Sequence, residues 1–146
     1  MTELEKLQRF CAYQERCHSD VLKKIKSLGI HASKTDHYIQ ELCDLGFLNE
    51  NRFVESFING KIQQKKWGKK KITFHLKQKG IDSNLIKFWI DQIDDKTYQE
   101  QLKKLFERKK LELERETNQF KKNQKIYRFL IQKGFDSEDI KKLFAF

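Results

Sequence analysis

The amino-acid sequence predicts an all-α protein built as an elongated array of tandem helical repeats. Residues 72–90 read ITFHLKQKGIDSNLIKFWI and residues 126–144 read IYRFLIQKGFDSEDIKKLF, an offset of 54 residues. Self-similarity at a fixed offset is typical of an array of one supersecondary unit. The chain contains no proline, and its apolar residues recur at helical spacing rather than in strand-like alternation. Nine helices are expected, grouped as three triplets within one domain over residues 1–146.

The first predicted repeat covers about residues 3–46. Thr2 with Glu5 makes a capping box that opens its first helix. Ser19 caps the second helix, which Gly29 ends, and Ser33 opens the third, which runs to the next glycine. The predicted apolar faces are Leu4, Leu7, Phe10 and Cys11, then Val21, Leu22, Ile25 and Leu28, then Tyr38, Ile39, Leu42 and Leu45.

The second predicted repeat covers about residues 50–93. Asn49 opens its first helix, the second runs over Lys69–Lys79 and stops at Gly80, and Asp82 or Ser83 caps the third. The predicted apolar faces are Phe53, Val54, Phe57, Ile58 and Ile62, then Ile72, His75 and Leu76, then Leu85, Ile86, Trp89, Ile90 and Ile93.

The third predicted repeat covers about residues 96–144. The pair Asp94–Asp95 caps its first helix, Thr117 caps the second, which reaches Gly134, and Asp136 starts the third. The predicted apolar faces are Tyr98, Leu102, Leu105, Phe106 and Leu113, then Phe120, Ile126, Tyr127, Leu130 and Ile131, then Ile140, Leu143 and Phe144.

Composition points to a polyanionic partner. The formal net charge is +10, and charged residues make up 36% of the chain, which suits nucleic acid, an acidic membrane surface or an acidic protein. No apolar run reaches membrane-spanning length, and the N-terminus has no signal-peptide core, so a cytoplasmic location is expected. The three cysteines are widely spaced and are expected to be buried thiols.

The strongest chemical feature is a basic stretch, because no acidic residue lies between Ser56 and Ile81. Its lysines could contact phosphates or carboxylates, or could form a solvated helical face. Trp67 could stack on a base, although an apolar anchor between two helices is the more ordinary role for such a residue. The candidate residues for binding nucleic acid or an acidic protein are Arg52, Lys61, Lys65, Lys66, Trp67, Lys69, Lys70, Lys71 and Lys79.

Catalytic signatures are missing from the sequence. It contains no phosphate-cradling glycine-rich loop, no GxSxG motif and no HExxH motif. The four histidines are scattered, and the cysteines form no CxxC pair. A non-enzymatic protein without cofactor or metal is therefore expected.

The segment LGFLNENRFVESFINGKIQQKKWGKKKITFHLKQKGID, residues 45–82, resembles the central signature of the RecX family of recombinase regulators. Residues 12–29 resemble the opening repeat of that family and residues 125–135 its closing repeat. Two positions depart from the family pattern. Leu22 replaces a helix-capping acid, so Asp20 must serve instead, and Lys69 stands where many relatives have proline.

The resemblance implies a curved array of three three-helix repeats that binds the RecA recombinase filament. It further implies inhibition of strand exchange, ATP hydrolysis and coprotease activity, which would tune recombination, DNA repair and the SOS response. With it comes the expectation of a monomer that binds DNA only weakly and does not associate with membranes. The alternative from another class is a stand-alone, basic, helical nucleic-acid-binding module.

Overall fold

A computed structural model of the chain describes residues 1–144, and these contain nine α-helices and no β-strand. The predicted all-α class is therefore confirmed. A 3₁₀ turn over Ala32–Lys34 precedes the third helix, and a π-helical turn over Lys61–Lys65 follows the fourth. The helices are α1 (Glu3–Tyr13), α2 (His18–Ser27), α3 (Thr35–Asp44), α4 (Glu50–Gly60), α5 (Lys69–Gln78), α6 (Ser83–Asp91), α7 (Asp95–Glu112), α8 (Gln119–Lys133) and α9 (Ser137–Phe144).

Five of the predicted helix starts are confirmed by side chains that accept hydrogen bonds from first-turn backbone N–H groups. At α1, the Thr2 hydroxyl accepts from the N–H of Glu5 at 3.1 Å. Such bonds satisfy donors that have no partner inside the helix, and each stabilises its helix by about 1 kcal/mol. The four other confirmed caps are Asn49, Asp82, Asp94 and Asp136.

Three predicted starts are wrong. Helix α2 begins one residue before Ser19, with Cys17 as its cap, and the Asp20 carboxylate accepts from the Cys17 N–H at 3.1 Å. Ser33 lies within the 3₁₀ turn, and α3 begins only at Thr35. Helix α8 is capped by Asn118, next to the expected residue Thr117, because the Asn118 amide oxygen accepts from the N–H of Lys121. Only at α8 does a neighbouring residue supply the expected side-chain cap, since the cap residue of α3, Lys34, makes no such hydrogen bond.

The predicted apolar faces include several residues that the structure exposes. Helix α8 buries Ile126 and Leu130, and Phe120 lies about 120° around the helix from Ile126 at 100° per residue. Phe120 is therefore 70% exposed. The other exposed members of the predicted faces are Leu22, Leu45 and Ile131.

The chain divides into two compact units, and neither coincides with one predicted repeat. The first unit comprises residues 1–57 and 76–86, and the second comprises residues 58–75 and the chain from residue 87 onward. A buried cluster in the first unit consists of Leu7, Cys11, Val21, Ile25, Ile30, Leu42 and Leu48. A buried cluster in the second unit consists of Tyr98, Leu102, Leu105, Phe106, Ile126, Leu130, Phe135 and Ile140.

Two leucines of α7 provide a matched test of this core. Leu102 is buried at 0% exposure, whereas Leu111 is 68% exposed. Leu102→Ala should lower the free energy of unfolding by about 2–5 kcal/mol, since it removes buried apolar atoms and leaves a cavity. Leu111→Ala should change it by less than about 0.5 kcal/mol. Urea unfolding followed by circular dichroism measures both, and equal losses would contradict the placement of α7.

Candidate interaction surface

The basic stretch folds into a corner between α4 and α5, here called the basic corner (residues 61–71). The π-helical turn Lys61–Lys65 ends at Lys66, whose φ of 59° is left-handed. The N–H groups of both Lys66 and Trp67 donate to the carbonyl of Lys61. A left-handed residue reverses the chain direction here, so α5 starts only three residues later.

A backbone contact between two glycines holds the basic corner against the end of α8. The Gly68 N–H donates to the Lys133 carbonyl at 2.6 Å, and the Lys70 N–H donates to the Gly134 carbonyl at 3.0 Å. A Cβ atom added to Gly68 would lie 2.4 Å from the Gly134 carbonyl carbon. The first N–H groups of α5 are thus satisfied by the last carbonyls of α8, and glycine is required because the two backbones touch.

The phenol of Tyr98 provides another acceptor at the start of α5. Its oxygen accepts from the Lys69 N–H at 2.9 Å, and the Lys69 ammonium lies 4.6 Å from the centre of the phenol ring. Burial raises the pKa of Tyr98 to about 12, opposed in part by the hydrogen bond from Lys69. The phenol therefore stays neutral. Its oxygen accepts from a first-turn N–H of α5, the role that a side-chain cap next to the helix has elsewhere.

Trp67 is held by neighbours in the same corner. The ammonium groups of Lys61 and Lys71 lie 4.8 and 4.7 Å from the centre of its ring, and the His75 ring centre lies 4.5 Å away. Cations at these distances are attracted by the negative face of the indole. The half-buried indole therefore orders the lysines around it, which supports the anchor role predicted for it.

Positive charge accumulates where the basic corner meets α8. The Lys133 ammonium donates to the Lys65 carbonyl at 3.0 Å. Burial, followed by the positive charges of Lys71, Arg108 and Lys65, lowers the pKa of Lys133. Because like charges disfavour the protonated form, an anion bound here would relieve repulsion that is already present.

Lys70 is partly neutralised, whereas two other lysines of the basic corner are not. The Lys70 ammonium lies 3.2 Å from the carboxylate of Asp136. Among residues 1–144, the ammonium groups of Lys65 and Lys66 form no ion pair. These two side chains are therefore available to an acidic partner.

The remaining two candidate residues belong to the first compact unit and have partners there. The Arg52 guanidinium donates to the Glu15 carboxylate at 2.6 Å and to the Gly46 carbonyl at 2.9 Å. The Lys79 ammonium donates to the Asp20 carboxylate at 3.1 Å. The charges of both side chains are thus offset by carboxylates within that unit.

The first unit contains a joint of the same kind as the glycine contact. The Ser19 hydroxyl, in the first turn of α2, donates to the Lys79 carbonyl at 2.9 Å. Lys79 and Lys133 occupy equivalent places in the repeated QKG segments. In both units, therefore, the start of a repeat's second helix is bonded to the QKG carbonyl of the following repeat.

Three residues of this surface were not predicted as site residues: Tyr98, Arg108 and Lys133. The 54-residue offset pairs Lys79 with Lys133 and could have indicated the latter. Tyr98 and Arg108 carry no such signal, because one resembles a core aromatic and the other lies in a helix of mixed charge.

The described part of the chain offers neither a membrane-spanning helix nor a metal site. No helix of residues 1–144 combines the length and apolar character needed to cross a membrane. In the same residues, no group of three or more His, Cys, Asp or Glu side chains is placed to hold a metal ion.

Family comparisons match more than half of the chain. The model described as "RecX, second three-helix domain" matches residues 49–87, and "RecX, third three-helix domain" matches residues 96–144. The chain belongs to the RecX family. The resemblance of residues 45–82 is thereby confirmed, as is the fold of tandem three-helix repeats.

Relatives in the RecX family include a Legionella pneumophila (strain Corby) protein named "Regulatory protein RecX". It is 31% identical over 139 residues, which cover 93% of this chain and 88% of the relative. The protein of that name from Finegoldia magna is 27% identical over 92% of this chain. This chain spans 66% of the length of the Finegoldia relative and 35% of a Lactobacillus johnsonii relative.

Two solved structures share the fold. "Crystal structure of RecX from Lactobacillus salivarius" gives a TM-score of 0.84 at 27% identity, covering 97% of this chain and 92% of that one. "Crystal structure of regulatory protein RecX" gives the same TM-score at 24% identity, covering 94% of this chain and 68% of that one. The repeat fold is thus retained where only about a quarter of the residues are identical.

The glycine contact predicts a specific loss of stability. Gly68→Ala should lower the free energy of unfolding by about 1–3 kcal/mol, because the new methyl group overpacks a backbone contact. Gly60→Ala is the matched control, since a Cβ there meets nothing within 4 Å and alanine is the better helix former. Urea unfolding of the two variants checks the difference. Equal stability in both would show that Gly68 and Gly134 do not touch.

The Asp20–Lys79 pair predicts a pH dependence. Burial works against the charged form of Asp20, but hydrogen bonds from Cys17 and Lys79 outweigh it, so the pKa of Asp20 is lowered. The contribution of Asp20 should be fully present above the ordinary aspartate pKa of about 4 and should be lost as the pH falls through the lowered value. Asp20→Asn should flatten the stability loss in that window, as measured by urea unfolding at pH 7 to 2.5. An unchanged profile would contradict the pair.

Proposed function

We propose that this member of the RecX family regulates recombination by binding a RecA recombinase filament through its basic corner. Bound protein would occlude the filament and inhibit strand exchange, ATP hydrolysis and coprotease activity without catalysing a reaction. The proposal includes a cytoplasmic, monomeric protein with weak intrinsic affinity for DNA, made of one domain with repeats over about residues 3–46, 50–93 and 96–144.

The charge accumulation at Lys133 carries the proposal. The Lys133 ammonium donates to the Lys65 carbonyl, and burial, followed by the charges of Lys71, Arg108 and Lys65, lowers its pKa. A negative charge bound here would therefore be favoured. The names of the relatives support a regulatory role. An acidic groove between protein subunits, or the phosphates of the DNA inside a filament, would both supply the missing negative charge.

The fixed frame of the corner supports a binding role as well. The glycine contact, the Tyr98 cap and the cation–indole contacts restrain the backbone and several lysines before any partner arrives. A surface that is ordered in advance loses less conformational entropy on binding, which favours affinity. Lys65 and Lys66 would then make the partner contacts, while Lys69 and Lys70 mainly hold the frame.

Charge reversal tests the proposed contact. Lys65→Glu with Lys66→Glu should raise the protein concentration for half-inhibition of recombinase ATP hydrolysis on single-stranded DNA by about tenfold, the effect of losing roughly 1.4 kcal/mol of binding. Lys103→Glu with Lys104→Glu is the matched control, because both lysines are exposed in the second unit and the charge change is the same. The control should inhibit like the unaltered protein, and circular dichroism should show both variants folded.

Two outcomes would overturn this assignment. Equal weakening by both double reversals would mean that only net charge matters. Equal affinity for bare DNA and for the filament, with parallel salt slopes of about −0.7 per contacted phosphate, would favour the stand-alone nucleic-acid-binding module. The proposal expects filament binding that survives at a salt concentration where the bare-DNA complex has dissociated.

A further inference from the structure

A second cationic surface lies in the first compact unit, away in sequence from the basic corner. It is a groove of about 660 Å³ formed by α1, the segment after it and α2. Aromatic and aliphatic side chains are part of its lining, including Phe10, Tyr13 and Leu28. Tyr13 is 82% exposed, and the Arg16 guanidinium carbon lies 6.0 Å from the centre of its ring.

The charges around this groove have one sign. Its lining includes Lys6, Arg9, Arg16 and Lys24 and, within residues 1–144, no carboxylate. None of these four side chains forms an ion pair in the described residues. The groove therefore favours a polyanionic ligand over a ligand of mixed charge.

One of the cations is fixed in place over an aromatic ring. The Arg16 Nε–H donates to the Phe10 carbonyl at 3.0 Å, and its guanidinium carbon lies 3.8 Å from the centre of the Phe10 ring. The Lys24 ammonium lies 5.4 Å from the same ring. Because this hydrogen-bond acceptor is a neutral carbonyl, the positive charge of Arg16 is not offset by it.

Exposed rings beside uncompensated cations are the combination that holds single-stranded nucleic acid. Bases stack on aromatic and guanidinium planes, while the backbone phosphates follow the cations. An acidic peptide would use the cations but would leave the exposed Tyr13 ring without a flat partner. We infer that the groove of Phe10, Tyr13, Arg9, Arg16 and Lys24 binds single-stranded nucleic acid, with a base stacked on Tyr13.

This inference is independent of the proposed recombinase contact, because it concerns another surface and needs no recombinase for its test. Binding is measured by fluorescence anisotropy of a labelled 15-nucleotide oligodeoxythymidine and of an abasic oligonucleotide of equal length. The two probes carry the same phosphates, so a difference in affinity reports contacts to bases.

The unaltered protein should bind the base-bearing probe about tenfold more tightly than the abasic one, the size of one stacked base. Tyr13→Ala should remove that difference, and Tyr13→Phe should retain it because the ring remains. Arg9→Gln should weaken both probes alike and make the salt slope shallower by about 0.7. Phe120→Ala, which removes another exposed ring outside the groove, is the matched control and should leave both affinities unchanged.

Three results would overturn the inference. One is equal affinity of the unaltered protein for both probes, which would mean that binding depends on phosphate charge alone. Another is an unchanged preference for bases in Tyr13→Ala. The third is displacement of the base-bearing probe by poly-glutamate at an equal concentration of negative charge, which would identify the groove as a site for acidic peptides.

Discussion

The main-chain contact between Gly68 and Gly134 is the constraint on which the second compact unit depends. It lets the carbonyls that end α8 accept hydrogen bonds from the N–H groups that begin α5. Helix ends normally leave these groups to water or to capping side chains. Here each end satisfies the other, and opposite ends of two helix dipoles meet, which is electrostatically favourable. The same contact brings Lys133 beside Lys65 and so creates the concentration of positive charge.

Under the proposed function, stability and partner binding would both depend on the basic corner. The residues that order the corner, including Tyr98 and Trp67, differ from the lysines whose charge has no acidic partner. Lys69 and Lys70 take part in the frame through the Tyr98 ring and the Asp136 carboxylate, whereas Lys65 and Lys66 have no acidic partner in the described chain. A long run of similar residues thus divides into side chains that build the surface and side chains that can contact a partner.

Much of the fold could be predicted from the sequence, because it depends on local chemistry. Glycine stops, short polar caps and helical apolar spacing act over a few residues, which is why Thr2, Asn49 and Asp94 were recognised as caps. At α8 the polar neighbours Thr117 and Asn118 could both serve, whereas α2 is capped by Cys17, which is not among the usual capping residues. The π-helical turn has no local signature, and the left-handed Lys66 would not be expected at a lysine. The site was less predictable, since the partners of Arg52 and the cap from Tyr98 depend on contacts between residues far apart in sequence.

The main-chain contact between α5 and α8 has a consequence for which substitutions this protein can accept. At Gly68 and Lys133 the bonded atoms are those of the peptide group, which every amino acid carries. Such a joint restricts substitution at the two glycines, but it places little demand on the chemistry of the residues beside them. Mutation can therefore replace most side chains while the repeats stay in register, provided that the buried positions remain apolar. A TM-score of 0.84 to a structure with 27% identity is consistent with a fold that tolerates extensive substitution.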